Sequence, residues 1–156
     1  MLLGKIIAVT GAASGIGARI ADVCASLGAD VIAVDRNTPA AGYAGTIQGD
    51  LSSQAGVDAI VRALPPRIDV LVNSAGLSGA PGDALTVAVN FYGLRALSEG
   101  AADKIRQGGA VVNVASIAGY GWRANLDRAK SMVAVQGFPD VAKVIAGHSV
   151  PAGYGY

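Results

Sequence analysis

Cysteine and histidine are almost missing from this chain: Cys24 and His148 are each the single residue of their kind. One cysteine excludes an internal disulfide, and the two residues together are too few for a zinc cluster, so no metal site is expected. Charge is scarce as well. Only 15% of the 156 residues are Asp, Glu, Lys or Arg, both signs are scattered, and the net charge is +1. That balance offers no basic footprint to nucleic acid and no patch to an anionic membrane. No apolar run is long enough to span a bilayer. The N-terminus has no cationic start and Lys5 interrupts its apolar residues, which argues against a signal peptide. A cytoplasmic protein is the expectation.

Apolar residues and glycine are plentiful, at 52% hydrophobic with 22 glycines, in neither a repeat nor a low-complexity tract. The length suits a single domain over residues 1–156. Residues 6–10, 31–35, 68–73 and 110–116 read as buried strands, with a weaker strand at 46–48. Between them run helical patterns. Ile16, Ile20, Val23 and Leu27 repeat at helical spacing before Gly28, a C-terminal stop. Val57, Ile60, Val61 and Leu64 form a second stripe, ended by Pro65 and Pro66. A third pattern runs from 82 to 107 and closes on Gly108 and Gly109. Alternating strands and helices imply right-handed crossovers and an α/β architecture: a parallel sheet covered on both faces. Periodicity breaks after Ser116, where 125–136 and 139–146 read as short helices, the second with Pro139 near its first turn.

The stretch TGAASGIG joins the first strand to the first helix and places glycines at 11, 15 and 17. A loop that opens a helix presents unpaired N–H groups and the positive end of the helix dipole to a phosphate. Glycines let that backbone turn and approach a pyrophosphate without a Cβ in the way. Ile16 follows Gly15 where a P-loop needs lysine. Tight strand–helix turns also use glycine for packing alone, so the loop by itself does not decide between the two. Asp35, at the end of the second strand, adds weight: a carboxylate there can accept from an adenosine ribose and repel a 2′-phosphate, favouring NAD over NADP. Arg36 next to it leaves NADP open, because a guanidinium can pair with that phosphate.

In that order, the motifs resemble those of the short-chain dehydrogenases/reductases. TGAASGIG is similar to the family's glycine loop, with Gly11, Ser14, Gly15, Ile16 and Gly17 implied at the pyrophosphate. Asp50 in GDLS, followed by Leu51, matches the acidic residue facing the adenine. NSAG resembles the family's NNAG turn and supplies Asn73, Ala75 and Gly76, with Ser74 as a departure. VNFYG supplies Asn90 and VNVASIAG supplies Ser116, at the positions of the catalytic asparagine and serine. The resemblance covers residues 5 to 119. It implies a Rossmann-type doubly wound sheet, a nicotinamide cofactor, a small alcohol or ketone substrate, and a homodimer or homotetramer in the full-length form.

The family's next element is a tyrosine, with a lysine one helical turn later. Near 127–130, where the tyrosine usually falls, there is none, and Tyr120 is too close to Ser116. Tyr154 and Tyr156 remain, Tyr156 preferred, which makes 117–155 an inserted, helical segment. Such long serine-to-tyrosine segments resemble a bacterial group of hydroxysteroid dehydrogenases and carbonyl reductases. The chain is then expected to be an N-terminal part, about five strands with the last strands missing. On the enzyme reading Ser116 hydrogen-bonds the substrate carbonyl, Tyr156 exchanges the proton, and Asn90 holds a water or a kink in the long helix. A non-catalytic dinucleotide-binding module or a scaffold is the alternative. Cys24 is expected in the core, Trp122, Met132 and Phe138 are expected to pack the inserted segment, and His148 is expected in a surface loop.

Overall fold

The computed structural model describes residues 1–78 and 82–148. Five strands form one parallel sheet: β1 (Ile6–Thr10), β2 (Asp30–Asp35), β3 (Gly45–Gln48), β4 (Ile68–Asn73) and β5 (Ile105–Asn113). Their spatial order is β3-β2-β1-β4-β5, so the winding reverses between β1 and β4. This is the Rossmann-type doubly wound sheet, in which ligands bind beyond the carboxyl ends of the strands at the reversal.

The period-2 alternation of the strands sorts their side chains onto two faces. Ile7, Val9, Val31, Ala33 and Val72 point one way and pack under α1 (Gly15–Ser26) through Ala21. Ala8, Val34 and Leu71 point the other way, against Val57, Ile60 and Leu64 of α2 (Gln54–Ala63). Leu97 of α4 (Leu94–Gly100) joins the same cluster. Ser53 caps α2 by accepting from the Gly56 N–H at 3.2 Å.

The helix expected over 82–107 is not continuous. It divides into α3 (Asp83–Val87), a π-helical stretch (Ala88–Gly93), α4, and a 3₁₀ turn (Ala102–Lys104). The fifth strand consequently starts at Ile105 rather than 110 and stops at Asn113 rather than 116. The pair Gly108–Gly109 that read as a helix stop lies inside this strand, where the pairing with β4 shifts register between Ile68 and Val70. That bulge absorbs the extra residues and hides the strand's periodicity.

After β5 come a 3₁₀ stretch (Ile117–Asn125), α5 (Leu126–Ala134) and α6 (Val141–Gly147). Pro139 precedes the N-cap Asp140, whose carboxylate accepts from the Lys143 N–H, so it lies outside the first turn. Met132 and Val141 bury against Val87, Ala88 and Tyr92 in a third small core, with Phe138 packed on it. Tyr92 Oη donates to the Met132 carbonyl at 3.0 Å. Arg95 donates to three carbonyls at and just beyond the end of α5: Val133, Val135 and Gly137. Trp122 departs from its expected packing role: it is 47% exposed, with the Arg123 guanidinium 4.9 Å from its ring centre. His148, expected in a surface loop, is a half-buried turn residue. It follows α6, with Nδ1 2.7 Å from the Val144 carbonyl.

Candidate functional site

A cleft of about 400 Å³ opens beyond the carboxyl ends of β1, β2 and β4, where the winding reverses. Its first wall is the glycine loop. Gly11, Ser14, Gly15, Ile16 and Gly17 all line it. Ser14 is the N-cap of α1, yet its side chain makes no capping hydrogen bond, and the first turn holds no acidic residue. The positive helix end therefore faces the cleft with no acidic residue in its own first turn. Gly15 has φ +60 and open space where a Cβ would stand. Gly17 differs: a Cβ there would collide with the Gly11 carbonyl oxygen, so this glycine serves the close seating of helix on strand.

Asp35 and Arg36 line the end of the cleft beyond β2, beside Asn37. The Asp35 carboxylate accepts from the Ala13 N–H at 3.0 Å through Oδ2 and from the Asn37 N–H at 2.8 Å through Oδ1. Asp50 and Leu51 line the side wall; Asp50 accepts from the Ser52 N–H at 2.9 Å and Leu51 is buried. Arg36 is the one cation among the described lining residues, so a pyrophosphate would be met by backbone N–H groups and the helix dipole.

The opposite wall is the turn after β4, with Ala75 and Gly76. Thr10, 1% exposed, holds it: Oγ1 accepts from both the Ser74 and the Ala75 N–H at 3.0 Å. The departure at Ser74 leaves these backbone bonds intact, while its buried hydroxyl has no protein partner. Asn73 lies behind the wall rather than on it. Its amide donates to Ser98 Oγ at 2.9 Å and to Asn113 Oδ1 at 2.8 Å, joining β4 to α4 and β5.

Asn90 sits within the π-helical stretch. Its side chain clasps one residue from both sides, accepting from the Leu77 N–H at 2.8 Å and donating to the Leu77 carbonyl at 2.9 Å. Leu77 lines the cleft, so Asn90 shapes it indirectly. Ser116 lies beyond β5 as the N-cap of the 3₁₀ stretch, exposed, with Oγ accepting from the Ala118 N–H at 3.1 Å. Its own hydroxyl proton can still be donated. Ser116 and Asn90 are not on the cleft wall, and Tyr154 and Tyr156 lie outside the described residues. Thr10, Asn37 and Leu77 were not expected at the cleft. Thr10 was legible as the first letter of the glycine-loop stretch; Leu77 was not, because its part rests on its backbone.

Burial pushes the Tyr92 phenol above its ordinary value, and burial likewise raises the Cys24 thiol, which is half-buried on α1. Among the described residues no cluster of His, Cys, Asp and Glu could hold a metal ion, and no helix is long and apolar enough to cross a membrane.

Residues 5–143 match the family model described as short chain dehydrogenase. The chain belongs to that family. As a short-chain dehydrogenase it is 43% identical, over 139 residues, to a coniferyl-alcohol dehydrogenase of Pseudomonas sp. (strain HR199), covering 89% of this chain and 54% of that protein. It is similar in structure to a 3-alpha-hydroxysteroid dehydrogenase from Pseudomonas sp. B-0831 solved with NADH, with TM-score 0.75 and 33% identity over 97% of this chain and 64% of that one. It is also similar to RhlG of Pseudomonas aeruginosa, solved with NADP, with TM-score 0.68 and 27% identity over 94% of this chain and 68% of that one. The chain thus spans about half the length of the curated relatives it matches. The family works with nicotinamide dinucleotides, and its solved members include both NADH and NADP complexes.

Proposed function

We propose that this short-chain dehydrogenase is, in its whole form, an oxidoreductase that interconverts a secondary alcohol and a ketone with NAD(H). The observation that carries the nucleotide part is the cleft itself: an uncapped helix N-terminus, an open Gly15, and a carboxylate at the end of β2. These residues fit a dinucleotide. Gly15 and its neighbours would hold the pyrophosphate, Asp35 the adenosine ribose, and Asp50 with Leu51 the adenine side. The relative named for a hydroxysteroid supports a secondary-alcohol/ketone substrate, the one named for coniferyl alcohol, a primary alcohol, supports alcohol chemistry more broadly, and steroid-like ketones belong in the first panel.

The bound nicotinamide supplies hydride chemistry; the protein's part is orientation and proton handling. Ser116 would donate its hydroxyl proton to a substrate oxygen. Tyr156 would exchange the proton at its phenol, a group of ordinary pKa about 10 that needs its anion stabilised near neutrality. Asn90, through Leu77, would keep the long helix bent beside the cleft. Residues 1–156 are read as one domain with 117–155 as an inserted segment. A cytoplasmic homodimer or homotetramer is the proposed setting of the whole protein.

Asp35 favours NAD, because its charge would stand against a 2′-phosphate. A clash of ~1–3 kcal/mol corresponds to about tenfold to a hundredfold in affinity. Titration of the chain with NADH and NADPH, followed by the fluorescence of the reduced nucleotide, tests this. Tighter binding of NADH is expected; equal constants would remove the preference, and no binding of either would overturn the reading. A panel of secondary alcohols and ketones then tests the substrate class.

A further inference from the structure

The Asp35 carboxylate is engaged before any ligand arrives. Oδ2 holds the Ala13 N–H at 3.0 Å, Oδ1 holds the Asn37 N–H at 2.8 Å, and the Asp35 carbonyl accepts from the Gly49 N–H at 2.9 Å. One residue earlier, the Ala12 N–H reaches the Val34 carbonyl at 3.3 Å. Two successive N–H groups of the glycine loop are thus docked on the end of β2, the second of them on a side chain. The Asn37 bond closes a tight turn around Arg36, which also lines the cleft. Among the described residues no other side chain is hydrogen-bonded to the 12–14 backbone.

We propose that Asp35 is a positioning residue for the glycine loop and for the Arg36 turn, in addition to the nucleotide contact on which the preceding reading rests. A carboxylate offers about four lone-pair sites, and the two backbone N–H groups take one on each oxygen. The remaining sites stay open to a ribose. The same group then couples the two halves of the cleft: holding the ribose favours the conformation in which the loop is ready for phosphate. Neutralising Asp35 to admit NADP consequently loosens the loop for both nucleotides, and frees Arg36 from the turn that aims it.

The test is residue-resolved amide exchange on the chain without ligand, comparing wild type with Asp35→Ala and Asp35→Asn. Hydrogen bonds to a charged acceptor are among the stronger ones, so the Ala13 and Asn37 amides should exchange at least about tenfold faster in Asp35→Ala. Core amides such as Ala8 and Leu71 serve as the internal reference for global loosening. Asp35→Asn keeps the shape but offers one acceptor oxygen, so one of the two amides should lose protection and the other keep it. Unchanged exchange at Ala13 in both variants would overturn the proposal. A second arm titrates ADP and 2′,3′-dideoxy-ADP. A loop fastener predicts that Asp35→Ala weakens both, whereas a pure ribose contact leaves the dideoxy analogue untouched. If the wild type binds neither ADP nor the dinucleotides, the nucleotide reading fails, while amide exchange still decides the role of Asp35 in the loop.

Discussion

Gly15 and Gly17 are two residues apart in one motif and do different jobs, which substitution should separate. A Cβ at Gly17 meets the backbone of Gly11, which cannot yield without moving the strand end. Gly17→Ala should therefore destabilise the ligand-free protein by ~1–3 kcal/mol, as overpacking does. Gly15 has free space but φ +60, so alanine there costs ~1–2 kcal/mol in conformation and also projects a methyl into the cleft. Relative to its loss of melting temperature, Gly15→Ala should lose more nucleotide affinity than Gly17→Ala. Equal ratios in the two variants would assign the loop to packing alone. Asn90 is a third case. Asn90→Ala leaves the Leu77 N–H and carbonyl without their partner, and a cost at the lower end of ~1–3 kcal/mol is expected because these backbone groups are only partly buried. Asn90→Asp keeps the acceptor and loses the donor, so it should fall between wild type and alanine in thermal melts.

Among the elements, β1 and β4 were legible to the residue, because both faces of each are largely buried and the sequence shows apolar runs there, Ile6–Val9 in β1 and Val70–Val72 after Asp69 in β4. The boundary between α4 and β5 was not. There the local signal, two glycines after a helical pattern, marks a bulge within a strand, and only its pairing to β4 reveals that. The π-helical stretch was hidden for the same reason, since the Asn90–Leu77 clasp that accompanies it joins residues 13 apart. The glycine loop and Asp35 were readable as chemistry; the bond between Asp35 and Ala13 was not, as it depends on where a backbone amide passes.

At the far end of the sheet Asp69 ties three elements. Its carboxylate accepts from the Ile6 N–H at 2.9 Å and pairs with Lys5 at 3.2 Å and Arg106 at 2.7 Å. The Ile6 N–H foremost, with Lys5 and Arg106, holds this carboxyl below its ordinary value. A group depressed on folding adds stability above its unfolded pKa, about 3.9, and that stability is lost as pH falls through the lower folded value. Asp69→Asn should thus melt lower than wild type at pH 7, and the two should converge as the pH drops below about 4. Parallel curves down to pH 2 would dissociate Asp69 from the acid response.

For the whole molecule, the sheet is closed unevenly. β5 pairs with β4 on one side, and among the described residues no strand pairs with its other edge. The faces at that edge are apolar and open: Val111 is 43%, Val112 47% and Val114 39% exposed. Val112 pairs with Val72 and so shares the face under α1, which covers Val72 and leaves Val112 bare. An unpaired, apolar strand edge is a template for another chain. Residues 1–156 should therefore associate in a concentration-dependent way at roughly micromolar to millimolar concentrations. Val112→Lys should shift them toward monomer, because a lysine on an edge strand blocks strand addition through its charge and length. The cleft is formed by other strands, so nucleotide affinity per folded chain should not change with this substitution. Sedimentation velocity across that concentration range reads both variants directly. A single monomeric species for the unsubstituted chain at every concentration would mean that the edge of β5 is protected by residues outside the described ones, and the association prediction would fall.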